Sequence, residues 1–291
     1  MKTVSILGGT GFIGTELITN LSKKNININV FTRNYNKANK FKELPRVKVI
    51  EINESVDMSV LLRESDVVIN LVGILHETKS LKFSSVHKNW VNKIANAVKT
   101  NNISHFIHIG AMQSIRNAPS SYLKSKYHGE EEIKRILKKK SWTILRPSIV
   151  FGKEDIFINL FRKMVAYLPI IFLVSPYAKF QPIYVKDLVD IIILSINDKK
   201  SYGKTYNVAG PKDYNFIEII KLIATADKKK VLIVPLNRFF TNMMVALIEL
   251  LPYKIITRDN LKSMRLDNVT ETNDAYLFKS KLLSLPIYLN K

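Results

Sequence analysis

Short apolar runs alternate with amphipathic stretches through the first half of the chain. Val4 to Leu7, Ile28 to Thr32, Val47 to Ile52, Val67 to Val72, Phe106 to Ile109 and Thr143 to Leu145 are compact and rich in β-branched residues, whereas Phe12 to Lys23, Ser84 to Thr100 and Tyr122 to Lys138 repeat their apolar positions at helical spacing. Strands that alternate with helices predict an α/β fold with a doubly wound parallel sheet of the Rossmann type, covered by helices on both faces. After Arg146-Pro147 the rhythm changes. An apolar segment Ile156 to Val174 is followed by Gln181 to Ile196, a strand at Thr205 to Ala209, a helix at Phe216 to Ala226 and a strand at Val231 to Val234. The predicted organisation is a nucleotide-binding domain over 1–147, with 183–209 returning to it, and a smaller C-terminal lobe from 148–182 and 210–291.

Composition narrows the chemistry. The 291 residues include 46% hydrophobic residues and no Cys, so the chain can bury a real core and has no disulfide, thiolate metal site or cysteine nucleophile. His105 and His108 lie three apart on a strand and face opposite sides, so the histidines form no ligand cluster and no metal site is expected. The net charge is +21, carried by 35 Lys and 10 Arg, which favours acidic partners or an anionic membrane surface. Lys138-Lys139-Lys140 and Lys228-Lys229-Lys230 read as solvated loop charges, and no motif for nucleic acid is present. Val4 to Leu7 is too short for a signal peptide, and the chain is expected to be cytoplasmic.

Gly8-Gly9-Thr10-Gly11-Phe12-Ile13-Gly14 lies between the first strand and the first helix. Glycines there permit a tight turn and bring the backbone N–H groups of a helix N-terminus close to a pyrophosphate. The second strand ends Val30-Phe31-Thr32-Arg33-Asn34, without the acid that would bind a ribose 2′-hydroxyl. Arg33, with Lys37 nearby, instead suits a 2′-phosphate, so NADP(H) is expected over NAD(H). Tyr122 and Lys126 stand at i and i+4 on one helix face, where an ammonium can lower the tyrosine pKa and hold a ribose while the phenol acts as general acid or base.

These pieces resemble the short-chain dehydrogenase/reductase superfamily in its extended or atypical branch. The matching residues are Gly8, Gly11 and Gly14, Asn70-Leu71-Val72-Gly73, Tyr122 with Lys126, Arg146 to Gly152, and Gln181 to Asp187. A narrower resemblance rests on Tyr122 to Glu130 (YLKSKYHGE), Phe151 to Asp155, and Ile256-Thr257-Arg258-Asp259-Asn260. These are similar to the nucleotide-binding accessory subunits of respiratory complex I, NADH:ubiquinone oxidoreductase, and their bacterial relatives. The resemblance implies a fixed, structural NADPH held by Gly8, Thr10, Gly11, Phe12, Ile13, Gly14, Arg33, Asn53, Leu71, Val72, Gly73, Tyr122, Lys126, Pro147 and Ile149. It also implies complex I subunits as partners and a place peripheral to the inner (cytoplasmic) membrane.

One departure bears on activity. A working reductase usually carries Ser or Thr just after the fifth strand, and this chain reads Ile109-Gly110-Ala111-Met112; Ser114, Ser120 or Ser121 would have to reach in from the loop. A missing oxyanion donor costs roughly 2.7–4 kcal/mol in comparable sites. Tyr122 and Lys126 are therefore either catalytic or vestigial. An oxidoreductase or epimerase acting on a small carbonyl or nucleotide sugar, and a redox-sensing regulator, stay open beside the subunit reading. Arg238 to Leu251, on a helix, gathers Arg238, Thr241, Asn242 and Glu249 into a polar stripe of about 100°. Its remaining apolar surface must be covered by the lobe core, by a partner or by a membrane interface, the last helped by Lys254 and Arg258.

Overall fold

Strand β1 (Thr3–Leu7) is buried along nearly its whole length: Val4, Ile6 and Leu7 are enclosed, and Ser5 shares a 2.6 Å hydrogen bond with Ser65. Burial on both faces is what a central parallel strand requires, and it is why these strands read as unbroken apolar runs. The computed structural model describes residues 1–53, 56–138, 142–249 and 256–290. Two compact units divide the chain. The first holds Met1–Ala111, Ser125–Arg146 and Leu188–Tyr206; the second holds Met112–Lys124, Pro147–Asp187 and Asn207–Lys291.

The first unit is built on the sheet. Strands β2 (Asn27–Thr32), β3 (Val47–Glu51), β4 (Val67–Asn70), β5 (His105–Ile109) and β6 (Trp142–Pro147) join β1 in parallel register, and the Lys204–Val208 strand adds an edge beside β6. The order runs Lys204–Val208, β6, β5, β4, β1, β2, β3. The chain winds outward from β1 to β3, then returns to place β4 on the other side of β1. The carboxyl ends of β1 and β4 therefore flank the point where the winding reverses, which is where such sheets bind ligands.

Helices α1 (Phe12–Leu21), α2 (Met58–Leu61), α3 (Trp90–Thr100) and α4 (Ser121–Leu137) flank this sheet. Leu7, Phe31, Val68 and Phe106 from the strands pack with Val91, Ile94 and Ile133 from the helices, each worth about 1.5–3 kcal/mol relative to exposure. Two expected elements are altered. Strand β4 ends at Asn70 rather than Val72, because the Asn70 side chain accepts from Val72 N at 3.2 Å and meets His108 Nδ1 at 3.1 Å, turning the chain out of the sheet. The stretch Ser84 to Thr100 divides into a π-helical segment, Ser84–Asn89, and α3; such wide turns are frequent at functional sites.

The second unit has its own core. Helix α5 (Phe157–Tyr167) leads to the strand Ile170–Leu173, which pairs in parallel with Leu232–Pro235; α6 (Val185–Ser195) starts in this unit, and α7 (Phe216–Ala226) opens with a capping box between Asn215 and Glu218. Phe151, Ile158, Phe180, Phe216 and Ile220 fill the interior. The later chain is stitched back onto this unit: Asp187 pairs with Lys279 at 2.8 Å, Asp274 accepts from Asn207 N, and Gln113 donates to the carbonyls of Asp267 and Val269.

Helix α8 (Arg238–Ile248) is covered by its own lobe only in part. Thr241 and Val245 are the buried positions, while Phe239, Phe240, Asn242, Met243 and Leu247 are exposed, so the outward side is largely apolar and Thr241 of the polar stripe is turned in. Leu250, Leu251, Lys254, Lys139 and Lys140, on which further expectations fall, lie outside the described residues. Helix α9 (Arg258–Ser263) follows. Among the described residues no helix is long and apolar enough to cross a membrane.

Candidate nucleotide-binding site

The loop after β1 is shaped by close approaches that only glycine permits. Gly8 has φ +82°, and a Cβ there would lie 3.0 Å from the backbone of Leu71 and Val72, the residues that follow β4. A Cβ on Gly14 would lie 2.5–2.6 Å from the Gly9 backbone. These two glycines fasten the loop and seat α1. Gly11 differs: a Cβ there would meet nothing nearer than Gly8 O at 3.4 Å, so its position faces open space. Gly11 is also the N-cap of α1, with no side-chain cap and no acid in the first turn. Unshielded N–H groups beneath a space that a side chain would fill are the cradle a pyrophosphate requires. Thr10, Phe12 and Ile13 complete the loop and the first turn.

The two kinds of glycine separate in an experiment. Gly11→Val is expected to keep the fold but abolish the rise in melting temperature that saturating NADPH or NADH gives, a stabilisation of about 2.7 kcal/mol at a hundredfold excess over Kd. Gly14→Ala is expected to lower stability without any nucleotide, by about 1–3 kcal/mol as an overpacked site. Thermal unfolding of both variants with and without nucleotide checks this. An undiminished nucleotide response in Gly11→Val would place the binding site elsewhere.

Arg33 is exposed at the end of β2, and the turn after it carries exposed Lys37 and Lys40. Lys40 Nζ donates to Thr15 Oγ1 at 2.8 Å, and so stands beside the first turn of α1. Lys40 has no sequence signal apart from the general run of lysines, and the motif reading missed it. Asn53 is exposed beyond β3. Leu71 and Val72 are half-buried beside Gly8, while a Cβ on Gly73 would lie 3.2 Å from Lys126 Nζ. The first unit therefore brings Gly8 to Gly14, Leu71 to Gly73 and Lys126 to the reversal point of the sheet. Pro147 and Ile149 belong to the second unit, where Ile149 O accepts from Ile183 N.

Helix α4 carries Tyr122 and Lys126 one turn apart. Lys126 is buried and donates to Ile109 O at 3.2 Å; burial brings its ammonium down to about 8, with Glu130 opposing the shift. The Tyr122 phenol moves opposite to expectation: it is pushed up to about 12, because loss of solvent outweighs any help from a cation. In the second unit, the Asp259 carboxylate of α9 accepts from the backbone N–H groups of Ser121 and Tyr122 at 2.8 and 2.9 Å, and Ser263 donates to Ser120. The segment Ile256 to Asn260, singled out for its resemblance, thus caps the helix that presents Tyr122. Ser120 Oγ accepts from Ser263 and from Leu123 N, which fixes its position at the start of α4.

Two buried constellations escaped the sequence reading. His87, on the π-helical segment, accepts from Ile74 N at 3.1 Å through Nε2 and meets Ser125 Oγ at 2.8 Å through Nδ1; burial first, then Lys126, brings it down to about 2. This neutral ring ties the loop after Gly73 to α4. The second constellation packs against Gly110, one of the two positions where a hydroxyl was expected. Fully buried Glu130 forms an ion pair with Arg146, its oxygens 2.9 and 3.1 Å from Arg146 Nε, and a Cβ on Gly110 would lie 2.4 Å from Glu130 Oε1. Gly110 is glycine because a carboxylate fills its side-chain space.

The chain is similar to known proteins over most of its length. The subunit named NADH dehydrogenase [ubiquinone] 1 alpha subcomplex subunit 9, mitochondrial, of Mus musculus is 27% identical over 92% of this chain and 73% of its own length. The NADH-ubiquinone oxidoreductase 40 kDa subunit of Neurospora crassa is 28% identical over 76% of this chain and 59% of its own. In structure, a nucleoside-diphosphate-sugar epimerase from Staphylococcus aureus superposes with a TM-score of 0.77 at 17% identity, covering 100% of each chain. UDP-glucuronic acid 4-epimerase from Bacillus cereus in complex with NAD gives 0.70 at 20% identity, covering 81% of this chain and 87% of that one. The fold is thus shared with these epimerases, and the relatives by sequence agree with the resemblance to complex I accessory subunits. A family model described as NAD(P)H-binding matches residues 8–156, more than half of the sequence, and the chain belongs to that NAD(P)H-binding family.

Proposed function

We propose that the chain is an accessory or assembly subunit of respiratory complex I that holds NADP(H) as a structural nucleotide, in the cytoplasm and peripheral to the inner membrane. The observation that carries this reading is Gly110 packed against the Glu130–Arg146 ion pair: of the two positions where a reductase hydroxyl is expected, Gly110 has its side-chain space filled by a paired carboxylate and Ala111 carries a methyl group. The relatives named as subunits of NADH dehydrogenase support the choice of partner. A bound NAD(P)H supplies hydride chemistry. The chain's own residues supply binding: the Gly8 to Gly14 loop offers N–H groups to the pyrophosphate, Arg33 with Lys37 and Lys40 offers cations to a 2′-phosphate, and the Lys126 ammonium is available to a ribose hydroxyl. Tyr122, at about 12, keeps its proton across the physiological range and serves to position.

A second reading, an NADP(H)-dependent oxidoreductase or epimerase, is favoured by the retained Tyr122 and Lys126 on α4. The UDP-glucose 4-epimerase of Vibrio cholerae, 25% identical over 77% of this chain, points the same way. Gentle purification from the native membrane decides between them. The subunit reading expects NADPH and complex I proteins to accompany the chain, Tyr122→Phe to leave both unchanged, and Arg33→Asp to weaken NADPH by about 1.5–3 kcal/mol with less effect on NADH. Turnover of a carbonyl or nucleotide sugar at ordinary enzymatic rates, abolished by Tyr122→Phe, would replace the subunit with the enzyme.

A further inference from the structure

We infer that the outer face of the paired strands Ile170–Leu173 and Leu232–Pro235 in the second unit, rimmed by Lys163 and Lys228 to Lys230, seats on an anionic lipid surface. The pairing is parallel, with Leu232 opposite Ile170 and Val234 opposite Phe172. Strand alternation sends Ile171 and Leu173 into the core and leaves Ile170, Phe172 and Leu232 outside, at 43%, 54% and 61% exposure. The outward side of an ordinary two-stranded ribbon is polar; here every outward position named is large and apolar. The surface continues into the turn before the first strand, where Tyr167 is 84% exposed and Leu168 is exposed beside it, and Leu232 N bonds to Pro169 O.

Charge identifies the occupant. No Asp or Glu occurs between Asp155 and Asp187, or from Lys228 to Ile248, so both segments that build the face are free of acids. Asp227, the acid nearest the lysine run, is engaged by Arg162, with Nε at 3.1 Å and Nη2 at 2.5 Å. This ion pair joins α5 to the end of α7 and sets exposed Lys228, Lys229 and Lys230 immediately ahead of Leu232. Lys163 stands one helical turn before Tyr167 on the same exposed side of α5. Aromatic and aliphatic side chains at the centre with lysines at the rim match the boundary between acyl chains and anionic headgroups, where apolar burial and cation attraction add. The apolar outward side of α8, which follows directly on Leu232–Pro235, supplies a second amphipathic element of the kind that lies in such an interface.

The inference deepens the membrane-peripheral part of the proposed function and is tested apart from it, with the purified full chain and vesicles. Sedimentation with vesicles of three parts phosphatidylcholine to one part phosphatidylglycerol is expected to carry the chain down, and pure phosphatidylcholine vesicles are expected not to. Changing Lys228, Lys229 and Lys230 to Gln should lower the vesicle affinity about a hundredfold, at about fivefold for each lysine. Phe172→Ser with Leu232→Ser should lower it about tenfold, with melting temperature and nucleotide response retained as a check on folding. Equal binding to neutral vesicles, no binding to either, or variants that bind as well as the wild type would each overturn the face. So would variants that keep vesicle binding but lose an accompanying protein, because the occupant would then be that protein. Vesicle binding by a chain that never accompanies complex I would uphold the face and remove the subunit role.

Discussion

Replacing Arg146 with Met is expected to destabilise the chain by about 3–5 kcal/mol, the cost of leaving one member of a buried ion pair without its partner. The asymmetry of the pair decides which substitution is worse. The Glu130 side chain is fully enclosed, whereas Arg146 keeps 17% exposure, so a carboxylate that loses Arg146 has no route to water, with the charge of Lys126 left to oppose it, and a guanidinium that loses Glu130 has a partial one. Glu130→Leu should therefore cost less than Arg146→Met, and the double variant should recover much of the loss, since apolar replacements of buried pairs are often neutral. Urea unfolding midpoints of the three variants test this. Additive losses in the double variant would show that the two residues are not coupled.

The same pair governs whether the missing oxyanion donor can be restored. Gly110→Ser alone drives its Cβ to 2.4 Å from Glu130 Oε1, so the hydroxyl cannot enter without moving the carboxylate. The absence of Ser or Thr at that place is thus a packed arrangement rather than a single lost side chain. This is the physical basis for reading Tyr122 and Lys126 as positioning groups.

Local signals made the sheet and the cofactor loop legible in the sequence. Apolar runs located β1 to β6 within two residues at either end, because strands largely covered by helices carry few polar positions, and some of those few, such as Ser5 and Thr143, are small and hydrogen-bonded. Gly8 and Gly14 stand out because they pack against backbone, and a glycine is the only residue that can. The Glu130–Arg146 pair was not legible, since it joins a helix to a strand 16 residues away and nothing in either segment names the partner. His87 was hidden for a related reason: the π-helical segment that turns it toward Ile74 and Ser125 follows no 3.6-residue period. On α8 the apolar surface was legible and what covers it was not, because a helix read alone does not say which side its neighbours cover.

Acid should unfold the chain well before its carboxylates are protonated. His87, His105 and His108 are all 1% exposed or less. Burial holds His87 at about 2 and His105 at about 4, and keeps His108 well below the ordinary 6.5, the positive charge of Lys126 adding to the effect on His87 and His108. Folded-state values below the unfolded value mean that the unfolded chain takes up protons first. The stability they contribute is therefore fully present above about pH 6.5 and is lost as the pH falls. His87 and His105 together give a slope that approaches about 2.7 kcal/mol per pH unit one unit below that point, so that by pH 4.5 they have removed about 5 kcal/mol, comparable to the whole stability of a marginal domain, and His108 acts in the same direction. Urea titrations at half-unit steps from pH 7.5 to 4.5 should show this fall, and His105→Gln should cut its slope by about a third. A stability flat from pH 6.5 to 5 would mean that these rings gain protons in the folded chain as readily as in the unfolded one, which their enclosure forbids.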